Sequence, residues 1–220
     1  MPKSKREQKV TLSKTQKKGR SRKESIINEI RECVDRFATI YVFAAHNMRN
    51  SALKDVRARL KSSRLFFGRN KLISAALGRT ASDEYRDGLS AVAKELLGGE
   101  AGVLFTNESD AAVKQCIDDC QVPEFARAGF EATQEVTLPA GPISQFAGSQ
   151  EPYLRKLGLP TRLQAGVVTL LGDHTVCRNC EELSSDQAKI LQLLDIKMAI
   201  FQLSLTCRWS NGDFVTLRAR

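Results

Sequence analysis

The alternation of helix and strand patterns over the first 120 residues limits the possible folds more than any other feature of this sequence. Apolar residues at three- and four-residue spacing predict helices, while short β-branched and aromatic runs predict buried strands. The predicted helices cover residues 24–37, 51–62, 70–77, 82–97 and 109–120, and the predicted strands cover residues 39–43, 64–67 and 103–105. Such alternation predicts an α/β fold in which helices pack on a central sheet.

The pattern changes after residue 121. Five prolines and several glycines between residues 123 and 160 predict a stretch rich in turns. A second small unit follows, with strands predicted at residues 166–171 and 175–176 and a helix at residues 184–195. Ser184 and Gln187 have the spacing of a capping box at the start of that helix. Residues 199–206 then alternate between apolar and polar side chains, which predicts a final buried strand.

Charge is distributed unevenly along the chain, although the net value is only +9. Residues 1–25 hold ten basic and two acidic residues, and residues 26–81 hold eleven basic and four acidic residues, whereas residues 82–220 have an excess of six acidic residues. A polycation at one end of a chain is typical of proteins that bind polyanions. Residues 2–23 have no hydrophobic period, so we expect a disordered basic tail. The alternative is a tail that serves only solubility.

The N-terminus also bears on location. Its first nine residues, MPKSKREQK, lack the apolar stretch of a secretory signal. No apolar run approaches the roughly 20 residues of a membrane-spanning helix. The basic clusters KSKR and KKGRSRK fit nuclear-import signals. We therefore expect an intracellular protein without a membrane partner.

Residues 46–71 carry the densest positive charge, with eight basic residues against the single Asp55. On the predicted helix 51–62, Lys54, Arg57 and Lys61 share a face that is rotated away from the apolar stripe. Residues 68–71 begin the next helix, and a helix N-terminus with a lysine can hold a phosphate. A solvated outer face is the alternative, but such faces usually mix charges of both signs. The segment therefore predicts contact with nucleic acid, either RNA or DNA.

Metal and catalytic sites find little support in the sequence. Cys177 and Cys180 have the spacing of half a zinc knuckle, and Cys116 and Cys120 form the other close pair, yet ordinary thiols are the preferred interpretation. The two histidines fall in no triad motif. The glycine-rich residues 97–102 lack the Lys-Ser/Thr of a phosphate-binding loop. We expect no metal, no cofactor, no catalytic residue and no enzymatic activity.

Several motifs spread over nearly the whole chain carry a family resemblance. They lie at residues 14–20 (KTQKKGR), 47–50 (NMRN), 66–71 (FFGRNK), 102–107 (GVLFTN), 138–142 (LPAGP) and 151–161 (EPYLRKLGLPT). With these motifs the chain resembles the mRNA turnover protein 4 family of ribosome assembly factors. The wider family is that of the ribosomal stalk-base protein of the large subunit.

The resemblance implies a three-layer α/β RNA-binding domain that is interrupted by a small inserted α+β domain. In this chain the RNA-binding domain is expected at residues 24–126 and 199–217, the inserted domain at 127–198 and the tail at 1–23. Members of the wider family bind large-subunit rRNA at the GTPase-associated centre, beside a second ribosomal protein. The assembly factor is similar to a placeholder that occupies this site on nuclear pre-60S particles, among other assembly factors, until the stalk-base protein replaces it.

The expected RNA-binding residues come from three sources. Family motifs indicate the RNA side, and the basic helical face adds to it, as does the basic tail. The residues are Lys14, Lys17, Lys18, Arg20, Asn47, Arg49, Asn50, Lys54, Arg57, Lys61, Gly68, Arg69, Asn70 and Lys71.

Two other function classes compete with the assembly factor. The chain could be the mature stalk-base protein, or an RNA-processing enzyme as the family's name suggests. The stalk-base protein carries additional helices that hold acidic stalk dimers. Because the sequence ends at Arg220, soon after the last predicted strand, we expect no acidic stalk dimers as partners. The expected location is the nucleus and nucleolus, with a transient cytoplasmic stage on late pre-60S particles.

Overall fold

The structure, a computed structural model, describes residues 19–217. Most of the expected basic tail therefore lies outside the described residues. The helices are α1 (Arg20–Arg36), α2 (Asn50–Arg59), α3 (Asn70–Leu77), α4 (Leu89–Glu95), α5 (Asp110–Asp118), α6 (Glu151–Lys156) and α7 (Ser185–Leu193). The strands are β1 (Thr39–His46), β2 (Arg64–Phe67), β3 (Ala101–Thr106), β4 (Val122–Glu124), β5 (Val136–Leu138), β6 (Gly141–Pro142), β7 (Thr161–Gln164), β8 (Val167–Leu170), β9 (His174–Cys177), β10 (Ala199–Ser210) and β11 (Asp213–Thr216).

The central sheet is antiparallel, with the strand order β11-β10-β1-β3-β2. Strand β1 lies at its centre and pairs with β10 on one side and β3 on the other. Both faces of β1 are buried, as its continuous β-branched and aromatic run predicts. Strand β4 pairs with the first residues of β10. The chain therefore leaves and re-enters this sheet at neighbouring points.

Helices cover both faces of the sheet, which confirms the predicted three-layer α/β class. On one face, Ile40 and Val42 of β1 pack in a core that α1, α3 and α4 complete. On the other face, Tyr41 and Phe43 pack in a core that includes side chains of α2 and α5. Neighbouring residues of a strand point to opposite faces, so one strand contributes to both cores.

The inserted α+β unit has a core of its own. Its cluster of buried apolar side chains extends from Ala126 to Ala199 and includes side chains of α6 and α7. The unit contains the strand pair β5-β9 and the three-stranded sheet β6-β8-β7. The predicted capping box is present at the start of α7: the Ser184 hydroxyl accepts from the Gln187 amide at 3.2 Å, and the Gln187 side chain accepts from the Ser184 amide at 2.8 Å.

The predicted helix over residues 82–97 is wrong in its first half, because only α4 is helical. Residues 82–88 instead form turns whose groups bond to other elements. The Tyr85 hydroxyl and the Arg86 guanidinium both donate to Asp35 on α1 at 2.7 Å. The Trp209 indole donates to the Asp87 carbonyl at 3.0 Å. These long-range bonds outweigh a local preference for helix.

Helix α1 begins at Arg20, before the predicted start at residue 24. An exposed ion pair between Arg20 and Glu24, one helical turn apart at 2.8 Å, adds a little stability to this first turn. Part of the expected disordered tail is therefore helical. Among the helices of residues 19–217, none combines the length and apolar character that crossing a membrane requires.

The turns at residues 82–88 lead to a prediction for acid stability. The hydrogen bond from Tyr85, with a further contribution from Arg86, holds the pKa of Asp35 below its ordinary value of 3.8. A carboxylate with a lowered pKa stabilises the fold above its unfolded-state pKa, and this stability is lost as the pH falls through the folded-state pKa. Asp35→Asn should therefore lower Tm at pH 7, and its difference from wild type should shrink as the pH falls below 3.8. Thermal melts from neutral to strongly acidic pH test this, and a pH-independent difference would contradict the assigned role.

Candidate nucleic-acid interface

A groove of about 430 Å³ lies between α1, α2, β2 and the start of α3. We call it the basic groove, because three arginines line it: Arg57 from α2, Arg64 from β2 and Arg69 from the turn before α3. All three are exposed. Their guanidinium groups can each bind a phosphate through two parallel hydrogen bonds. The groove therefore has the chemistry of a site for a phosphate backbone.

Strand β2 forms one wall of the basic groove at the edge of the central sheet. The ring of Phe67 stacks on Phe43, with 6.1 Å between ring centroids, and Gly102 of β3 lies beneath this pair. A Cβ atom at Gly102 would overlap the Phe43 ring and lie 2.9 Å from Phe67, so only glycine allows this close packing. The rigid core thus fixes the position of the groove wall.

The predicted division of α2 into two faces agrees with the burial of its side chains. Leu53 and Val56 are buried, whereas Lys54 and Arg57 are exposed. The predicted helical position of Lys61 is wrong, because α2 ends at Arg59 and Lys61 lies in the turn that follows. Lys61 lines a separate cleft with residues of α1, among them Glu29 and Glu32, and does not line the basic groove.

The turn before α3 has an unusual backbone. Gly68 has φ +98°, which favours glycine, and Arg69 follows in the left-handed conformation at φ +54°. A left-handed arginine is uncommon, and such strain concentrates at functional sites. The first N–H groups of a helix have no partners within the helix and attract anions. Together with the exposed Lys71, this turn suits a phosphate.

Asn70 has a role inside the protein. Its side-chain amide donates to the carbonyls of Leu96 and Gly99, at 3.0 and 3.1 Å. These bonds join the start of α3 to the turn between α4 and β3. The amide donor of this predicted RNA-binding residue is therefore already occupied.

Asn47, Arg49 and Asn50 do not line the basic groove. Arg49 is half-buried: it donates to the Phe125 carbonyl at 2.6 Å and lies 3.4 Å from the Glu124 carboxylate. The Asn47 side chain donates to the Ile200 carbonyl at 2.9 Å. Both residues thus hold the two chain segments that lead into and out of the inserted unit. Asn50 is exposed at the first position of α2.

The tail residues separate into two groups. Arg20 is exposed on the first turn of α1, where it pairs with Glu24. Lys14, Lys17 and Lys18 lie outside the described residues.

Sequence reasoning did not select Arg64, although the structure places it in the basic groove. Its guanidinium pairs with Glu29 on α1 and lies 5.5 Å from the centroid of the Phe66 ring. The charge of Arg64 contributes to the excess over residues 46–71, but no helical spacing connects it to α2. Only the packing of β2 beside α2 and α3 brings it to Arg57 and Arg69.

The cysteine pairs do not come together. Cys177 is buried in the core of the inserted unit and Cys180 is exposed, whereas Cys116 and Cys120 lie in the core beneath α5. Burial raises the pKa of Cys120 to about 11, so this thiol is protonated at neutral pH. Within residues 19–217, no group of three or more His, Cys, Asp or Glu side chains has an arrangement that could hold a metal ion.

Comparisons with known proteins agree with this architecture. The family model described as "Ribosomal protein L10" matches residues 18–122, the part of the chain that holds the basic groove. A second model, which describes the insertion domain in the 60S ribosomal protein of this group, matches residues 126–196. "Ribosome assembly factor mrt4" of Neurospora crassa is 38% identical, over 97% of this chain and 91% of the relative. Its counterpart in Schizosaccharomyces pombe is 37% identical, over 96% and 92%.

This chain belongs to the Mrt4 family of ribosome assembly factors. The resemblance found in the sequence is thereby confirmed. The chain is also similar to "Large ribosomal subunit protein uL10" of Pyrobaculum aerophilum, at 28% identity over 90% of this chain and 56% of that protein. The Mrt4 family is therefore a paralogue of the ribosomal L10 proteins. Its relatives are assembly factors and ribosomal proteins, and the chain is a binding protein rather than an enzyme.

The turn before α3 allows a test that separates binding from stability. In Arg69→Asn the side chain tolerates the left-handed conformation and can cap α3, so we expect the free energy of unfolding to stay level or rise by about 1 kcal/mol. Nucleic-acid affinity should fall, because a guanidinium is lost from the groove. Chemical denaturation and fluorescence anisotropy measure the two quantities.

Ala165→Asn provides the matched control. Ala165 also has a left-handed backbone, at φ +48°, but it lies in the exposed turn between β7 and β8. This change should relieve the same backbone strain and leave affinity unchanged. Equal affinities for Arg69→Asn and wild type would show that Arg69 does not contact nucleic acid.

Proposed function

We propose that this chain is a trans-acting assembly factor of the large ribosomal subunit that binds rRNA at the GTPase-associated centre of nuclear pre-60S particles. It holds this site until the stalk-base protein replaces it. Membership of the Mrt4 family places the chain in ribosome biogenesis. The observation that carries the finer proposal is the position of the basic groove, which lies within residues 18–122, the part that matches ribosomal protein L10.

The groove favours RNA through both charge and shape. Three exposed arginines from three separate elements converge on it, and Lys71 lies just beyond, at the start of α3. Arginines on different elements can contact phosphates that are distant along an RNA chain but close in its fold. Such recognition by shape and backbone is typical of structured RNA. The basic residues 1–25 add long-range attraction to the same partner.

The placeholder role follows from the shared L10-type unit. Two proteins that bind one rRNA site through corresponding faces exclude each other. The chain then works beside the neighbouring ribosomal protein of the stalk base and other pre-60S assembly factors, without acidic stalk dimers and without a membrane partner. Its place of action is the nucleolus and nucleus, to which the basic clusters near the N-terminus direct it.

The mature stalk-base protein is the second candidate, since the chain shares the L10-type unit and its insertion with the uL10 proteins. The extent of similarity separates the two. The Mrt4 relatives are 37% and 38% identical and are covered over 92% and 91% of their length, whereas the uL10 relative is 28% identical and is covered over 56%. This difference supports the assembly factor.

Removing two groove arginines tests the RNA-binding face. In Arg57→Gln with Arg64→Gln, affinity for an rRNA fragment of the GTPase-associated centre should fall about tenfold or more at moderate salt, and the slope of log K against log salt should decrease by roughly 1.4–1.8, because each phosphate contact contributes about 0.7–0.9. Both side chains are exposed, so the fold should be retained.

Lys156→Gln with Arg162→Gln is the matched control. It removes two exposed positive charges from the inserted unit, outside the groove. Its salt slope should stay close to that of wild type. An unchanged slope in the folded groove variant, or an equal loss in both variants, would contradict the assignment of the RNA-binding face.

A further inference from the structure

A second groove, larger and more apolar, adjoins the basic groove. It has a volume of about 810 Å³ and lies between the start of α1, α3 and the turn from α4 to β3. Its floor is formed by apolar side chains, which are Phe67, Leu72, Ala75, Leu96 and Leu97. We call it the leucine pocket. Leu97 is 56% exposed, an unusual position for a large aliphatic side chain.

The rim of the leucine pocket is positively charged. Lys23, Arg69, Lys71 and Arg79 line it, and among the described residues Glu100 is the one carboxylate beside them. All four basic side chains are exposed. An apolar floor within a cationic rim suits a ligand that has an apolar surface and negative charges at its edge. A nucleotide has this combination, with a π-face on the base and a charge on each phosphate.

The pocket is held in shape without a ligand. The Asn70 side chain fixes the turn that carries Leu96 and Gly99, and the Arg79 guanidinium donates to the Lys71 carbonyl at 3.3 Å. These bonds join α3 to both neighbouring segments. Pockets that receive small planar groups are usually preformed in this way.

The two grooves share a wall. Phe67, Gly68, Arg69 and Leu72 line both of them, so the turn before α3 forms the ridge between the basic groove and the leucine pocket. An RNA strand with phosphates on Arg57 and Arg64 therefore needs only to pass Arg69 to bring its next base over Leu97. This continuity favours RNA over a separate protein partner as the occupant.

We infer that the leucine pocket receives an unpaired base of the rRNA strand whose phosphates lie in the basic groove. The inference rests on the proposed function and specifies the form of RNA that is bound. A base within a duplex cannot reach an apolar floor, whereas a base in a loop or bulge can leave the stack. The floor offers apolar contact rather than hydrogen bonds, so the pocket selects an unpaired nucleotide more strongly than a particular base.

The first test is Leu97→Asn. Apolar contact with a base releases no counterions, so affinity for the rRNA fragment should fall about tenfold at every salt concentration with an unchanged salt slope. Lys71→Gln on the rim should instead reduce the slope by about 0.7–0.9. The control is Leu171→Asn, which alters a leucine that is 61% exposed in the inserted unit and should bind as wild type does. Because Leu97 is largely exposed, Tm should not change.

The second test removes bases from the RNA. Abasic substitution at each unpaired nucleotide of the fragment should identify one position where wild-type protein loses about tenfold in affinity, and Leu97→Asn should show no further loss there, because both changes remove the same contact. Additive losses at every position, or wild-type affinity for Leu97→Asn, would overturn the inference.

Two further results separate this inference from the proposal on which it rests. Wild-type protein that fails to bind the fragment contradicts the proposed function, and the inference with it. Wild-type binding with an unaffected Leu97→Asn contradicts the pocket alone. If Leu97→Asn binds the fragment normally but no longer associates with pre-60S particles, the occupant is a protein and the inference is also wrong.

Discussion

The pairing of β10 with β1 is the interaction on which the rest of the structure depends. Strand β10 comes after the inserted unit, yet it lies directly beside β1 at the centre of the sheet. It supplies Phe201 and Leu203 to the core under α2 and α5, and Cys207 and Trp209 to the core under α1, α3 and α4. Without β10, both cores would be incomplete and β1 would be left with an unpaired edge.

A register shift within this pairing allows one strand to serve both cores. Val42 is paired with Cys207, but the next residue, Phe43, is paired with Leu205. Strand β10 therefore contains a bulge at Thr206, and its odd-numbered residues change from one face to the other. Leu203 lies in one core and Trp209 in the opposite one, although both are odd-numbered. Simple alternation along the sequence cannot show such a change.

Local patterns were sufficient to predict much of the fold. Strand β2 and helix α3 have the bounds that the sequence predicts, because aromatic runs and helical spacing are local properties. Strand β11 was missed, although Asn211 and Gly212 form the left-handed pair of a tight hairpin turn before it. The turns at residues 82–88 could not be predicted, because the partners that hold them, Asp35 and Trp209, are distant in the sequence.

The candidate site was predicted less completely, for the same physical reason. Arg57 and Arg69 follow from helical spacing and from the start of α3. Arg64 and Leu97 reach their grooves only through tertiary packing, and Arg49 makes bonds inside the protein that no local pattern reveals. Charge alone indicates that a segment binds a polyanion, but the geometry of the sheet edge selects which of its side chains can act together.

The shared L10-type unit makes the order of binding on rRNA the decisive property of this protein. If the chain and the stalk-base protein use corresponding faces on one site, that site cannot hold both. The most direct measurement mixes both proteins with the isolated rRNA fragment of the GTPase-associated centre and determines the composition of the complexes by native mass spectrometry. We expect each protein to raise the apparent Kd of the other in proportion to its own concentration, with no complex that contains both. A stable complex of both proteins on one RNA would contradict the placeholder mechanism.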